Sequence, residues 1–157
     1  MEQLQRYLNH SKIDVLFKQN KDDFVVTELP LYDFSGEGEH LVLKIRKKDL
    51  ATWDAIEILA KYLNCSSREF GYAGLKDKNA MTVQSISVHR KYEEQLKSFQ
   101  NENLKILETT YHNNKIKVGH LKGNKFFIRL KRVGSIEKRK IEEALGSIVT
   151  HGIPNYF

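Results

Sequence analysis

The sequence predicts an α+β fold with a mainly antiparallel sheet and flanking helices. Short runs rich in β-forming residues recur between turn residues, whereas helical spacing of apolar side chains is sustained in only two long stretches. The chain has 157 residues, 40% hydrophobic and 29% charged, enough for one ordinary core and too mixed for disorder. A single globular unit over 1–157 is the expectation.

Taken in order, Asp23 to Leu29 reads as a strand ended by Pro30. Glu39 to Arg46 follows a Gly36/Gly38 turn as a second strand that can pair with the first. Thr52 serves as an N-cap for a helix that carries Trp53, Ile56, Leu59, Ala60 and Leu63 on one side and stops at Asn64. Ser66 and Glu69 have capping-box spacing, which predicts a short helix before Gly71. Met81 to His89 is strand-like, and its apolar positions change parity between Val83 and Ile86, so a bulge or two partly buried faces are expected.

The run "YEEQLKSF" is a weak short helix. Three further strands are predicted at 104–110, 115–120 and 125–132, punctuated by Asn113-Asn114 and Gly123-Asn124. In the last, Phe126, Ile128 and Leu130 share a face opposite Phe127, Arg129 and Lys131. A final helix from Ser135 turns Ile136, Ile141, Ala144, Leu145 and Ile148 inward and stops at Gly152 and Pro154. Tyr156 and Phe157 close the chain, and aromatic residues after a helix stop are usually buried, so the sequence reads as cut rather than finished.

Lys and Arg total 26 against 20 Asp and Glu, a formal charge of +6, which favours an anionic partner. Cys65 is the single thiol, so no intramolecular disulfide and no cysteine metal cage can form, and a reducing compartment fits. The N-terminus has no signal-peptide pattern and no apolar run is long enough to span a bilayer. These features read as a soluble, cytoplasmic protein without a membrane partner.

The six histidines show no i, i+4 pairing, so no metal site is expected. "GEGEH" lacks the spacing and the following Lys-Ser/Thr of a phosphate loop, so no cofactor is implied. Ser85 and Ser87 lie in a strand-like run without a nucleophile elbow. What remains is the stretch "YAGLKDKNAMTVQ", in which Asp77 stands between Lys76 and Lys78 after Gly74. Locally that pattern is an ordinary solvated turn.

Five ordered segments change its meaning. "GYAGLKDKNAMTVQ" resembles the signature around the catalytic aspartate of the TruD family of tRNA pseudouridine synthases. "KGNKFFIRL" resembles the family's Gly-Asn-x-Phe strand, "GIPNYF" its Pro-Asn-Tyr-Phe segment, and "KQNKDDFVVTE" and "GEGEHLVLKI" its N-terminal strands. The resemblance implies a pseudouridine synthase-like catalytic domain. It also implies an isomerase that converts a tRNA uridine, expected at position thirteen, to pseudouridine without a cofactor or metal.

By the same resemblance Asp77 is the catalytic group, acting as a nucleophile or as a base. Phe24 and Phe126 are the surfaces that hold the uracil, Asn124 orients the aspartate or the base, and Lys18 and Lys76 are basic residues of the pocket. Family members continue beyond Pro-Asn-Tyr-Phe into an inserted domain and then complete the catalytic sheet. The resemblance thus implies that 1–157 is the N-terminal part of the catalytic domain, inactive alone and monomeric as the full-length enzyme. The rival reading is a noncatalytic basic RNA-binding module, which predicts that Asp77→Ala leaves function intact.

Overall fold

A computed structural model describes residue 8 and residues 10–153. The expected Pro-Asn-Tyr-Phe segment and the aromatic end at Tyr156 and Phe157 lie outside the described residues from Pro154 onward. The chain divides into two compact units, residues 20–128 and residues 1–19 with 129–157.

In the unit 20–128, a 3-10 turn at Lys21–Asp23 leads into β1 (Phe24–Pro30). Then come β2 (His40–Lys47), α1 (Thr52–Leu63), β3 (Gly71–Tyr72), β4 (Met81–His89), α2 (Glu93–Leu96), β5 (Leu104–His112) and β6 (Leu121–Ile128). The mixed α+β fold of the expectation is thus present. The sheet has six strands in the order β5-β2-β4-β1-β6, with β3 on β4. Every pairing is antiparallel except β1 with β4.

That parallel pair corrects the expectation that β1 and β2 are neighbours, because β4 lies between them. Its two-faced burial explains the placement. Thr82, Gln84, Ile86 and Val88 are buried on one face, Ser85 and Ser87 on the other, and a strand covered on both sides belongs in the middle of a sheet. The changed parity in the sequence is this double burial, and the β2–β4 register runs through it without a shift.

One core packs α1 against the sheet: Leu41, Leu43, Ile45, Ile86, Val88 and Leu104 meet Ala55, Ile56, Leu59, Ala60 and Leu63. Trp53, expected inward, is nearly half-exposed and lies edge-on to Tyr72. Thr52 is the first helical residue rather than the N-cap. The Asp54 carboxylate takes the Ala51 N–H at 2.8 Å and caps this end, which releases the Thr52 hydroxyl for other partners. The short helix expected after Ser66 is a 3-10 turn, Ser67–Glu69, with the Ser66 hydroxyl accepting from the Arg68 N–H.

The strand expected at 115–120 is absent. The Ile116 N–H donates to Ser87 Oγ and the Gly119 N–H to the Ala73 carbonyl, so this segment is bound as a loop over β3 and β4. Gly71 permits it, since a Cβ there would lie 2.2 Å from the Ile116 carbonyl oxygen. Gly123-Asn124, expected to be a turn, lies inside β6 opposite Leu29 and Glu28, and β6 ends at Ile128, short of the expected Arg132.

In the other unit, Leu16 and Lys131 exchange two backbone hydrogen bonds of 2.9 Å. α3 (Ser135–His151) is the predicted helix and ends at Gly152, φ +75°. Its apolar stripe is not buried: Ile141, Ala144 and Ile148 are half-buried, whereas Ile136 and Leu145 are exposed. A helix stripe is buried only where another element packs on it, and spacing alone does not supply that element. Lys138 and Arg139 pair with Glu142 and Glu143, one turn on, which offsets the positive charge of this helix.

Candidate active site

The sheet forks along one edge of β4. β1 pairs with Met81, Thr82 and Val83, β3 pairs with Ile86 and Ser87, and Gln84–Ser85 is left between them. Glu28 fills this gap. One carboxylate oxygen accepts the Ser85 N–H at 3.2 Å and the other takes the Lys76 ammonium at 2.7 Å, and both side chains are almost wholly buried. A buried ion pair of this kind is retained through its additional hydrogen bonds, because burying either charge alone is costly.

The loop 73–80, which carries Asp77, is tied down at the fork. The Lys76 N–H donates to Thr52 Oγ1 at 2.9 Å, and the Thr52 hydroxyl donates to Gln84 Oε1 at 3.0 Å. Gln84 Nε2 returns to the Gly74 carbonyl. Beneath the loop lies Lys47, 0% exposed, whose ammonium donates to the carbonyls of Leu50 at 2.6 Å, Asp77 at 3.3 Å and Lys76 at 3.4 Å. Burial, and then the nearby Lys76 charge, push the Lys47 pKa down to about 8, while Asp77 and Asp54 act against that shift.

Asp77 itself is exposed, although Lys76 and Ala80 close by are buried. Its Oδ1 accepts the Asn79 N–H at 3.0 Å, an Asx-turn that orients the carboxylate. The arrangement therefore joins a solvent-accessible carboxylate to a loop whose backbone is anchored from β2, β4 and α1 and whose Lys76 side chain is held from β1. Such anchoring is what a reacting group needs in order to be held in one geometry.

Register places three other sequence-predicted residues on the face that carries Lys47. A row of paired residues crosses four strands from Lys47 through Thr82 and Val26 to Phe126. At about 4.8 Å per strand it spans about 14 Å. Phe24 stacks on Phe126, with ring centres 6.1 Å apart and planes 28° apart, and Phe126 is 57% exposed. Asn124 is exposed opposite Glu28. The aspartate loop is thus held at the Lys47 end of the row and an aromatic surface stands at the other.

Lys76 is turned inward to Glu28, and Lys78 is exposed. Lys18 belongs to the other unit, with φ +54° and its ammonium 5.3 Å from the Phe17 ring centre. Sequence reasoning missed Glu28, Lys47, Gln84 and the loop-binding role of Thr52. A signal was present: Lys47 shares strand parity with Leu41, Leu43 and Ile45, and Glu28 shares it with Phe24 and Val26. A charge at a core parity must find a partner. Among the described residues no helix is long and apolar enough to cross a membrane, and no group of three or more His, Cys, Asp or Glu could hold a metal ion.

The family model described as tRNA pseudouridine synthase D (TruD) matches residues 3–157. A protein of Sulfurimonas denitrificans named tRNA pseudouridine synthase D is 57% identical over 150 residues, covering 96% of this chain and 42% of the relative. A Campylobacter jejuni protein of the same name is 52% identical, over 96% of this chain and 40% of its own length. A solved structure from Methanosarcina mazei, of a protein assigned as tRNA pseudouridine synthase D (TruD), is 26% identical. It superposes with a TM-score of 0.84 over 95% of this chain and 35% of that one. The chain therefore spans about two-fifths of the length of these curated relatives.

Proposed function

We propose that this chain, which belongs to the tRNA pseudouridine synthase D (TruD) family, is part of an enzyme that isomerises a uridine of transfer RNA, at position thirteen, to pseudouridine. The observation that carries the reading is the exposed Asp77 carboxylate on a loop with buried anchors on either side of it. The reaction breaks the bond between N1 and C1′, turns the uracil, and joins C5 to C1′. The C5 proton is lost and N1 gains one, so no donor or oxidant is consumed. One ionised carboxylate suffices, either adding to the sugar or removing a ribose proton.

A uridine in folded RNA is stacked and must be extruded before such chemistry. The Phe24–Phe126 pair is proposed to receive the uracil face, and Asn124, whose amide both donates and accepts, to read its edge. Lys76 acts as a brace, since its ammonium is committed to Glu28. The partner is transfer RNA, and the excess of basic residues makes its binding salt-dependent.

The test is pseudouridine formation in an unmodified transfer RNA transcript by the full-length protein and its Asp77→Ala form at matched salt. The variant is expected to lose activity by about 10²-fold or more while binding is kept. Product from neither form, with RNA bound by both, would replace this reading with a noncatalytic RNA-binding module.

A further inference from the structure

We propose that Lys47 is a positioning residue for Asp77, fixing the direction in which the carboxylate leaves the loop by binding the carbonyls of residues 76 and 77. The inference rests on the reading of Asp77 as the catalytic group. Lys47 touches no exposed surface, so it acts through the loop and not on RNA.

Three observations support it. The ammonium ends β2 at a position that Leu41, Leu43 and Ile45 occupy with hydrocarbon, so an apolar residue would satisfy the packing there. Its acceptors come from two segments, Leu50 before α1 and the Lys76–Asp77 peptides, so one donor group holds both in a single arrangement. The charged groups facing it are Lys76 and Asp77 from the loop and Asp54 from the first turn of α1. The Lys76 ammonium is engaged by Glu28, and Asp54 is a carboxylate that only accepts, from the Ala51 N–H, so neither replaces Lys47 as a donor to the two loop carbonyls.

Without the ammonium, the carbonyls of Lys76 and Asp77 lose their link to β2, while Thr52 still holds the Lys76 N–H. The loop would stay in place near Lys76 and lose its set at Asp77. Displacement of a reacting group by about 1 Å can cost about 10²-fold in rate without a matching loss of binding.

The experiment uses the full-length protein with Lys47→Met, which keeps an unbranched side chain without the ammonium, and Lys47→Gln, which keeps an N–H donor on a shorter stem. Single-turnover pseudouridine formation, transfer RNA affinity, and amide exchange at Asn79 and in β2 and β4 are measured for each. The expected result is a fall of tenfold or more in rate for Lys47→Met, with RNA Kd within twofold. Exchange at the Asn79 amide becomes faster, that in β2 and β4 is unchanged, and Lys47→Gln recovers part of the rate. An unchanged rate overturns the proposal, and so does a parallel loss of rate and of β2 and β4 protection. Failure of both variants to fold also overturns it, because Lys47 would then be a folding residue. If the wild type makes no pseudouridine the reading of the activity fails, and the exchange at Asn79 still decides whether Lys47 sets the loop.

Discussion

In β2, Leu41, Val42, Leu43, Ile45 and Lys47 are all buried, whereas no residue of β6 is, although Phe126, Phe127 and Ile128 give that strand a strongly apolar C-terminal end. The difference follows from position in the sheet. β2 has β4 and β5 on its two sides and α1 across one face, and among the described residues β6 pairs only with β1. The fork at Gln84–Ser85 lies where the packed part gives way to the open part, and the Asp77 loop is anchored there. The packed side supplies the rigidity that the role proposed for Asp77 requires, and the β6 side supplies an accessible aromatic surface.

The anchored side is most sensitive at Glu28. Glu28→Ala removes the carboxylate and leaves the Lys76 ammonium buried without its partner, a change expected to cost about 3–5 kcal/mol. Loss of amide protection along β4, with Ser85 affected most, is the readout. A cost below 1 kcal/mol would mean that Lys76 turns out to solvent, and with it the claim that the fork is a rigid anchor would fall.

Leu59→Ala acts on the packed side alone. Leu59 is fully buried between α1 and the sheet, so a cavity remains, and about 2–5 kcal/mol is expected. Denaturant-dependent amide exchange in α1 and β2 measures it. Protection at β6 amides should change less than that in β2, because β6 borrows little of this core.

Lys47 supplies a pH dependence with a definite sign. Its folded pKa is about 8 and its ordinary value 10.5, so between these the unfolded chain holds a proton that the folded chain has released. Stability contributed by this group therefore rises as pH increases from about 8 to 10.5, and is lost as pH falls through 8. Comparing wild type with Lys47→Met isolates the effect. The difference in urea midpoint between the two should move in favour of the wild type across that window, and a flat difference would mean that the ammonium is not buried.

Much of this architecture was legible in the sequence, for reasons particular residues show. Met81 to His89 stands in the structure with the expected bounds, because β-formers and flanking turn residues agree. α1 and α3 follow from spacing and from Asn64 and Gly152, both at positive φ where each helix stops. Neighbour relations were not legible, since β1 and β2 are consecutive and yet separated by β4, and nothing local encodes a parallel partner fifty residues on. Phe24, Asn124, Phe126 and Asp77 were visible as candidates through ordered resemblance. Glu28 and Lys47 were hidden because their partners are backbone groups and a lysine brought close by folding, and only their parity marked them.

The smallest effect tests the open side. Phe127 pairs with Val25 on the face opposite Phe126 and is half-exposed, so Phe127→Ser removes about half the burial of a phenylalanine and should cost about 1 kcal/mol. Measured in the full-length protein, the same substitution gains a second meaning. A cost of about 3 kcal/mol there would show that another part of the longer chain covers this face, because full burial of a phenylalanine is worth about that much. A cost near 1 kcal/mol would leave the β6 face open to solvent or to RNA. The contrast between β2 and β6 would then be a property of the full-length protein, with the aromatic surface kept accessible beside a fork that does not yield.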